Sequence, residues 1–330
     1  VGRMPRGPLR LAGSFVVLIA VLVAAARAGA IETMAREAFL MDMTTESVLM
    51  EKNADAPMAP ASMSKLMTIY MVMERLQDGH LSLDDTFSVS ETAWRKGGAK
   101  SGSSTMFLKP GSRVRVEDLL RGIVVQSGND ACIVVAEGIG GDETSFASLM
   151  NEKARELGLL DSHFVNASGW PDPDHVMSAR DLARLAGALI DKFPQYYDLF
   201  AEKSFTFNKI RQGNRNPLLY KNIGADGLKT GHTRAAGYGL VASAVRKGRR
   251  LTLVVNGLTS VNQRSRESER LLTWGFREFG SYALFKAGEV VADAEVWLGS
   301  EASLPLLIEE PLNVIMPRRA RRAMKVSVNY

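Results

Sequence analysis

The chain has 330 residues, 46% hydrophobic and 23% charged, a globular composition that excludes a disordered protein and leaves room for one large domain with an appendage or for two domains. Its 41 basic residues outnumber its 36 acids, but four arginines (3, 6, 10 and 27) fall in a leading segment without any acid. The remainder is nearly neutral, which removes the support for a nucleic-acid-binding protein.

That leading segment places Arg3, Arg6 and Arg10 before an apolar run over 11–25, followed by Ala28-Gly29-Ala30. These are the three parts of an export signal, with residues 1–30 removed. The alternative is an uncleaved anchor, but the run is shorter than the roughly 20 apolar residues of a span. Residues 38–43 and 47–51 then read as a hairpin. Pro60 opens a helix over 61–77 whose apolar residues fall on every side, among them Met63, Leu66, Ile69, Tyr70 and Met73. Such a helix is buried all round, so Lys65 within it requires an explanation.

The stretch 94–105, rich in glycine, serine and lysine, predicts a mobile loop. A helix starting at Val116 stops near Ser127-Gly128-Asn129, and a second begins over 131–137. Cys132, the only cysteine, lies on the buried side of that second helix as a small core residue, and no intramolecular disulfide can form. Amphipathic helices follow at 143–157 and 178–192. The four histidines (80, 163, 175 and 232) are scattered, without an H-E-x-x-H pattern, so no zinc signature is present. Residues 238–245 and 250–256 form a second hairpin, and 265–279 return to helix.

Strands at both ends with helices between them indicate an α/β layer domain with a helical insertion. From about Gly288 the chain reads as short strands, too few for an independent core and therefore the start of a small C-terminal β-rich domain. The expected division is a signal at 1–30, a catalytic domain at 31–286 and a partial β domain at 287–330. The basic residues Arg318, Arg319, Arg321, Arg322 and Lys325 read as a solvated hairpin turn, with contact to anionic lipid as the alternative.

Chemistry concentrates at three places. Ser62 and Lys65 stand three apart and share one helix face. A serine hydroxyl needs a base, and lysine becomes one when burial or a neighbouring cation lowers its pKa. Lys229, in Lys229-Thr230-Gly231, offers such a cation at a strand edge. Between them lies Ser127-Gly128-Asn129, at a helix-to-helix corner where Ser127 faces a cleft or caps the following helix. The spacings are 65 residues from Ser62 to Ser127 and 102 from Ser127 to Lys229.

S-x-x-K, S-x-N and K-T-G in this order are the known signature of penicillin-binding proteins and class A β-lactamases. The segments 56–65, 122–132, 226–238 and 270–276 resemble the low-molecular-mass D-alanyl-D-alanine carboxypeptidases. The likeness runs from about Ala38 to the last residue. It implies an antiparallel sheet flanked by helices, with an all-helical subdomain. It also implies a periplasmic serine peptidase that removes the terminal D-alanine from peptidoglycan stem peptides, needs no cofactor and is acylated by β-lactams.

In that likeness Ser62 is the nucleophile and Lys65 its base. Ser127 relays a proton to the leaving D-alanine, and Asn129 orients Lys65 and the substrate. Lys229 and Thr230 hold the terminal carboxylate, and Gly231 lets the substrate lie against the strand. The backbone N–H groups of Ser62 and His232 form the oxyanion hole, with the role of the His232 ring open. Arg215 and Arg264 either help recognise the carboxylate or serve as surface ion-pair partners. A DD-endopeptidase of the same fold and a non-catalytic cell-wall peptide binder remain as alternatives. A class A β-lactamase is disfavoured, because no glutamate between Asn129 and Lys229 has an asparagine four residues on. Arg234 departs from the small or acidic residue frequent after this motif. No amphipathic helix of the kind that rests on a membrane occurs before Tyr330, so peripheral membrane association rests on the resemblance alone.

Overall fold

The computed structural model describes residues 18–22 and 31–329. Contacts divide the described residues into two units, one ending at Glu278 and the other running from Phe279 and including the strand Leu18–Leu22. The expected signal at 1–30 lies outside the described residues, apart from the backbone of Leu18–Leu22.

The larger unit is built on five antiparallel strands: β1 (Glu37–Asp42), β2 (Ser47–Lys52), β3 (Ala225–Thr233), β4 (Gly237–Arg246) and β5 (Arg249–Leu258). Their order is β2-β1-β5-β4-β3, so the two ends of this unit's sequence pair as β1 with β5. All six residues of β1 are buried, as expected for a strand covered on both faces. Phe39 and Met41 join the core shared with the helices, whereas Leu40 and Leu251 approach Gly275 of α7 (Val261–Glu278) on the other side.

Between β2 and β3 come the helices. A 3-10 turn (Ala61–Ser64) leads into α1 (Lys65–Gln77), whose first nine residues are buried, as the all-round apolar pattern predicts. The stretch read as a mobile loop instead begins with a helix, α2 (Glu91–Gly97), followed by a short 3-10 turn at Ala99–Ser101. Ser90 caps it by accepting from the Ala93 N–H at 2.9 Å, and Ala93 is fully buried, so a small-residue face and a cap outweigh the polar composition. Helices α3 (Val116–Val125), α4 (Asn129–Gly140), α5 (Glu143–Glu156) and α6 (Ala179–Lys192) follow close to their predicted places.

The C-terminal unit begins at Phe279, earlier than the expected 287, because β6 (Phe279–Phe285) pairs within it with β9 (Leu312–Pro317). The hairpin of β7 (Val290–Glu295) and β8 (Ser303–Leu307) lies between them in sequence. The last strand, β10 (Lys325–Asn329), pairs with Leu18–Leu22. The basic run is a 3-10 segment (Arg318–Ala323), not a hairpin turn, and Arg321 lies 4.7 Å over the Tyr282 ring.

Candidate active site

The 3-10 turn places Ser62 at the mouth of a cleft of about 470 Å³ and Lys65 beneath it, at the first residue of α1. Lys65 is fully buried, and its Nζ donates to Ser62 Oγ at 2.8 Å and to the Ser168 carbonyl at 2.5 Å. Two close approaches hold this turn. A Cβ on Gly231 of β3 would stand 2.8 Å from the Pro60 carbonyl, and one on Gly169 would stand 2.0 Å from that of Ala61. Only glycine fits either place. Gly231 thus admits the nucleophile's turn to the strand, in addition to any substrate it faces.

Lys229 mirrors Lys65. It is 2% exposed, and its Nζ donates to Ser127 Oγ at 2.8 Å and to the Thr230 carbonyl at 3.2 Å. Ser127 is therefore not a helix cap. Gly128 occupies the cap position of α4, and the Ser127 hydroxyl turns to the cleft. Ala61 and Ser127 both adopt left-handed backbone conformations, with φ of 47° and 58°. L-residues are held there only against a steric penalty.

Burial lowers the pKa of Lys65 to about 8, with the positive charge of Arg215 also pushing it down. Burial drives Lys229 down as well, and there repulsion from Lys65 is the second cause. The expected lysine–lysine effect therefore acts chiefly on Lys229. Cys132, between them in the core, has its thiol pushed up to about 12 by burial and stays an inert core residue.

The expectation that Asn129 orients Lys65 is not met by a direct bond. Lys65 uses Ser62 and the Ser168 carbonyl, while Asn129 Oδ1 is buried without a partner in a side chain that lines the cleft. Arg264, in the first turn of α7, is 5% exposed, makes long hydrogen bonds of 3.5 Å to the Gly239 and Arg215 carbonyls and lies 5.8 Å over the Tyr238 ring. Its Nε has no partner. Arg215 is exposed at the rim and donates to Ser104 Oγ at 2.5 Å. Among the described residues, neither arginine and neither lysine forms an ion pair with a carboxylate. His232 is exposed and stacks on Tyr238 at 3.9 Å, and Thr230 and His232 line the same cleft. All ten residues singled out in the sequence are therefore in or directly beneath one cleft.

Two contributors escape a reading of motifs. The loop 166–170 supplies the Ser168 carbonyl. It is shaped by Asn166 Oδ1, which accepts from the Ser168 and Trp170 N–H groups at 3.1 and 3.0 Å. Thr68 ties the same loop to α1 by donating to the Ala167 carbonyl at 2.6 Å. Asp130 accepts from Thr105 Oγ1 and from the N–H groups of Met106, Leu108 and Ala131 at 2.7 to 3.1 Å, which fixes the wall carrying Ser104. An asparagine and an aspartate in turn contexts were the available signals. Among the described residues no group of three or more His, Cys, Asp and Glu side chains is placed to hold a metal ion, and no helix is long and apolar enough to cross a membrane.

Comparison with known proteins agrees with this geometry. A family profile described as D-alanyl-D-alanine carboxypeptidase, peptidase S11, matches residues 23–260, and one for the penicillin-binding protein 5 C-terminal domain matches 279–330. The D-alanyl-D-alanine carboxypeptidase DacC of Escherichia coli (strain K12) is 44% identical over 295 residues, covering 89% of this chain and 74% of that protein. The crystal structure of penicillin binding protein 5 from Haemophilus influenzae superposes with a TM-score of 0.79 at 38% identity, covering 87% of this chain and 84% of that one. Penicillin-binding protein D2 from Listeria monocytogenes, in its ampicillin-bound form, gives a TM-score of 0.64 at 29% identity over 75% of this chain and 99% of that one. With a profile match over most of its length and its motif residues gathered in one cleft, the chain belongs to the D-alanyl-D-alanine carboxypeptidase family.

Proposed function

We propose that the protein is a serine D-alanyl-D-alanine carboxypeptidase that removes the terminal D-alanine of peptidoglycan stem peptides through an acyl-enzyme on Ser62. The observation that carries this reading is the 2.8 Å contact of a buried Lys65 with Ser62, in a cleft whose cations form no ion pair with a carboxylate among the described residues. Such a cleft suits a substrate that ends in a carboxylate. Lys229, Thr230, Arg215 and Arg264 receive that carboxylate, and the susceptible carbonyl then lies over Ser62.

Neutral Lys65 takes the Ser62 proton as Oγ attacks, and the oxyanion forms against the backbone N–H groups of Ser62 and His232. The C–N bond breaks as Ser127 Oγ gives a proton to the leaving amine of D-alanine, and Lys229 resupplies Ser127. Water hydrolyses the Ser62 ester: Lys65 returns its proton to Ser62 Oγ as the acyl group leaves, and the proton released by the new carboxyl group restores Lys229. One lysine–serine pair thus takes a proton in and the other gives one out. Asn129 Oδ1 is free to accept from a substrate N–H. β-Lactams, which present a strained amide and a carboxylate, acylate the same serine.

We read residues 1–30 as an export signal, which brings the enzyme to the extracytoplasmic space where its substrate lies. Catalysis in this reading belongs to the unit that ends at Glu278, and the unit from Phe279 onward is the added β domain. Attachment to the membrane is part of the same reading. The test is release of D-alanine from a stem pentapeptide together with labelling by a fluorescent penicillin, lost in Ser62→Ala. Release only from a cross-linked dimer would convert the assignment to an endopeptidase. Absence of labelling in the wild type would leave a peptide-binding protein.

A further inference from the structure

Lys65 and Thr68 stand one turn apart on α1, both fully buried, and both donate to the same loop. Lys65 Nζ reaches the Ser168 carbonyl at 2.5 Å, and Thr68 Oγ1 reaches the carbonyl of the preceding residue, Ala167, at 2.6 Å. One face of the helix that begins with the base therefore grips two successive carbonyls, 103 and 99 residues further along the chain. A threonine inside a helix commonly turns its hydroxyl back to a carbonyl of its own preceding turn. Thr68 sends its hydroxyl outward instead.

Other side chains hold the loop from elsewhere. Asn151 of α5 brackets Phe164, donating to its carbonyl and accepting from its N–H, each at 2.8 Å. Glu143, the first residue of α5, accepts from the Ala167 N–H at 3.2 Å. Asn166 closes the turn through the Ser168 and Trp170 N–H groups. Of these anchors only Thr68 comes from the helix that carries Lys65. It alone registers the loop directly against the base, while the others fix the loop to α5 or to itself.

The register matters because of what a base needs. A neutral amine has two N–H donors and one lone pair, and only the lone pair can take a proton from Ser62. With one N–H committed to the Ser168 carbonyl the amine no longer turns freely, and its lone pair is left to face Ser62 Oγ, 2.8 Å away. We propose that Thr68 is a positioning residue for the base: by holding the Ala167 carbonyl it keeps the next carbonyl, that of Ser168, on Lys65 and so aims the amine at Ser62. This rests on the reading of Lys65 as the base given above. A displacement of about 1 Å at such a place is enough to cost about 10²-fold in rate.

The test follows penicillin acylation of the whole protein by stopped flow, against penicillin concentration and pH, in Thr68→Val and Thr68→Ser. Valine keeps the shape of the side chain and removes the hydroxyl. We expect Thr68→Val to lower the limiting acylation rate about 10- to 100-fold, with the half-saturating concentration unchanged within about twofold. The midpoint of its pH profile should fall below that of the wild type, because the ammonium form of Lys65 loses an acceptor that favours it. Thr68→Ser restores the donor and should return to within about threefold of the wild-type rate, with the wild-type midpoint. A Thr68→Val rate within about twofold of the wild type, or a loss shared equally by both variants, overturns the positioning role alone. So does a loss confined to the half-saturating concentration, or one whose pH midpoint stays or rises. A Thr68→Val protein that circular dichroism shows to be unfolded also overturns it, since the hydroxyl then serves the fold. A flat wild-type pH profile, or a wild type that penicillin does not acylate, overturns the lysine-base reading and the positioning role with it.

Discussion

The floor and the rim of the cleft carry the same kinds of side chain in opposite settings. On the floor, Lys65 and Lys229 are 0% and 2% exposed, each locked to one serine hydroxyl, and burial lowers both pKa values. At the rim, His232 and Arg215 are exposed, one stacked on a tyrosine and the other donating to a serine hydroxyl. In the proposed mechanism both proton-handling lysines lie at depth, kept from water, whereas carboxylate recognition spans the cleft from buried Lys229, Thr230 and Arg264 to exposed Arg215. Arg264 is the intermediate case: it is buried and guanidinium-bearing, and its pKa is lowered to about 10 chiefly by burial, so it remains charged near neutral pH.

The comparison breaks most sharply at Lys65. Lys65→Arg puts a group that cannot give up its proton in the base's place, and penicillin acylation followed by stopped flow should fall about 10⁴-fold. A loss below tenfold would mean that another group is the base. Lys229→Ala tests whether the second floor lysine does more than anchor. We expect kcat/KM for D-alanine release to fall about 10² to 10³-fold, with acylation by penicillin slowed as well. A rise in KM with unchanged acylation would move Lys229 to the rim's side of the comparison.

The pH dependence follows from the sign of the Lys65 shift. Its ordinary value of 10.5 is lowered to about 8 in the folded protein, and the base works only when neutral. Acylation should therefore rise with pH, about tenfold per unit below 8, and level off above it, as one apparent titration of the coupled lysine pair. A flat profile between pH 6 and 9 would contradict a lysine base. His232→Ala should give the smallest effect, within about threefold in kcat/KM, because its ring is exposed and only the backbone N–H is assigned to the reaction. A hundredfold loss would bring the ring into catalysis.

Much of the floor was legible in the sequence, because a lysine in an all-round apolar helix is chemically anomalous and Ser62 stands one turn before it. The two hairpins and the helical insertion were legible from periodicity, whereas the antiparallel sheet that joins the hairpins was expected from the resemblance. What stayed hidden has a common cause. The Ser168 carbonyl holds Lys65 through a backbone atom, and backbone atoms leave no residue-type signature. Helix α2 was obscured because its contact face is small residues, which look like a loop in composition. The start of the C-terminal unit was read too late because Phe279–Phe285 continues directly from α7, and only its pairing partner far along the chain reveals it as a strand. The division between Arg215 at the rim and Arg264 in the wall depends on where α7 begins to pack, which spacing alone does not encode.

Ala61, next to Ser62, and Ser127, itself half of the second lysine–serine pair, hold left-handed conformations that their side chains disfavour. Such geometry persists only while the surrounding packing holds it, so it relaxes at the first local loosening, before the sheet and helices part. Warming should therefore silence the enzyme ahead of melting it. Residual activity after a heat pulse should decline several degrees below the midpoint seen by circular dichroism, and coincident curves would show that the site is as robust as the fold that holds it.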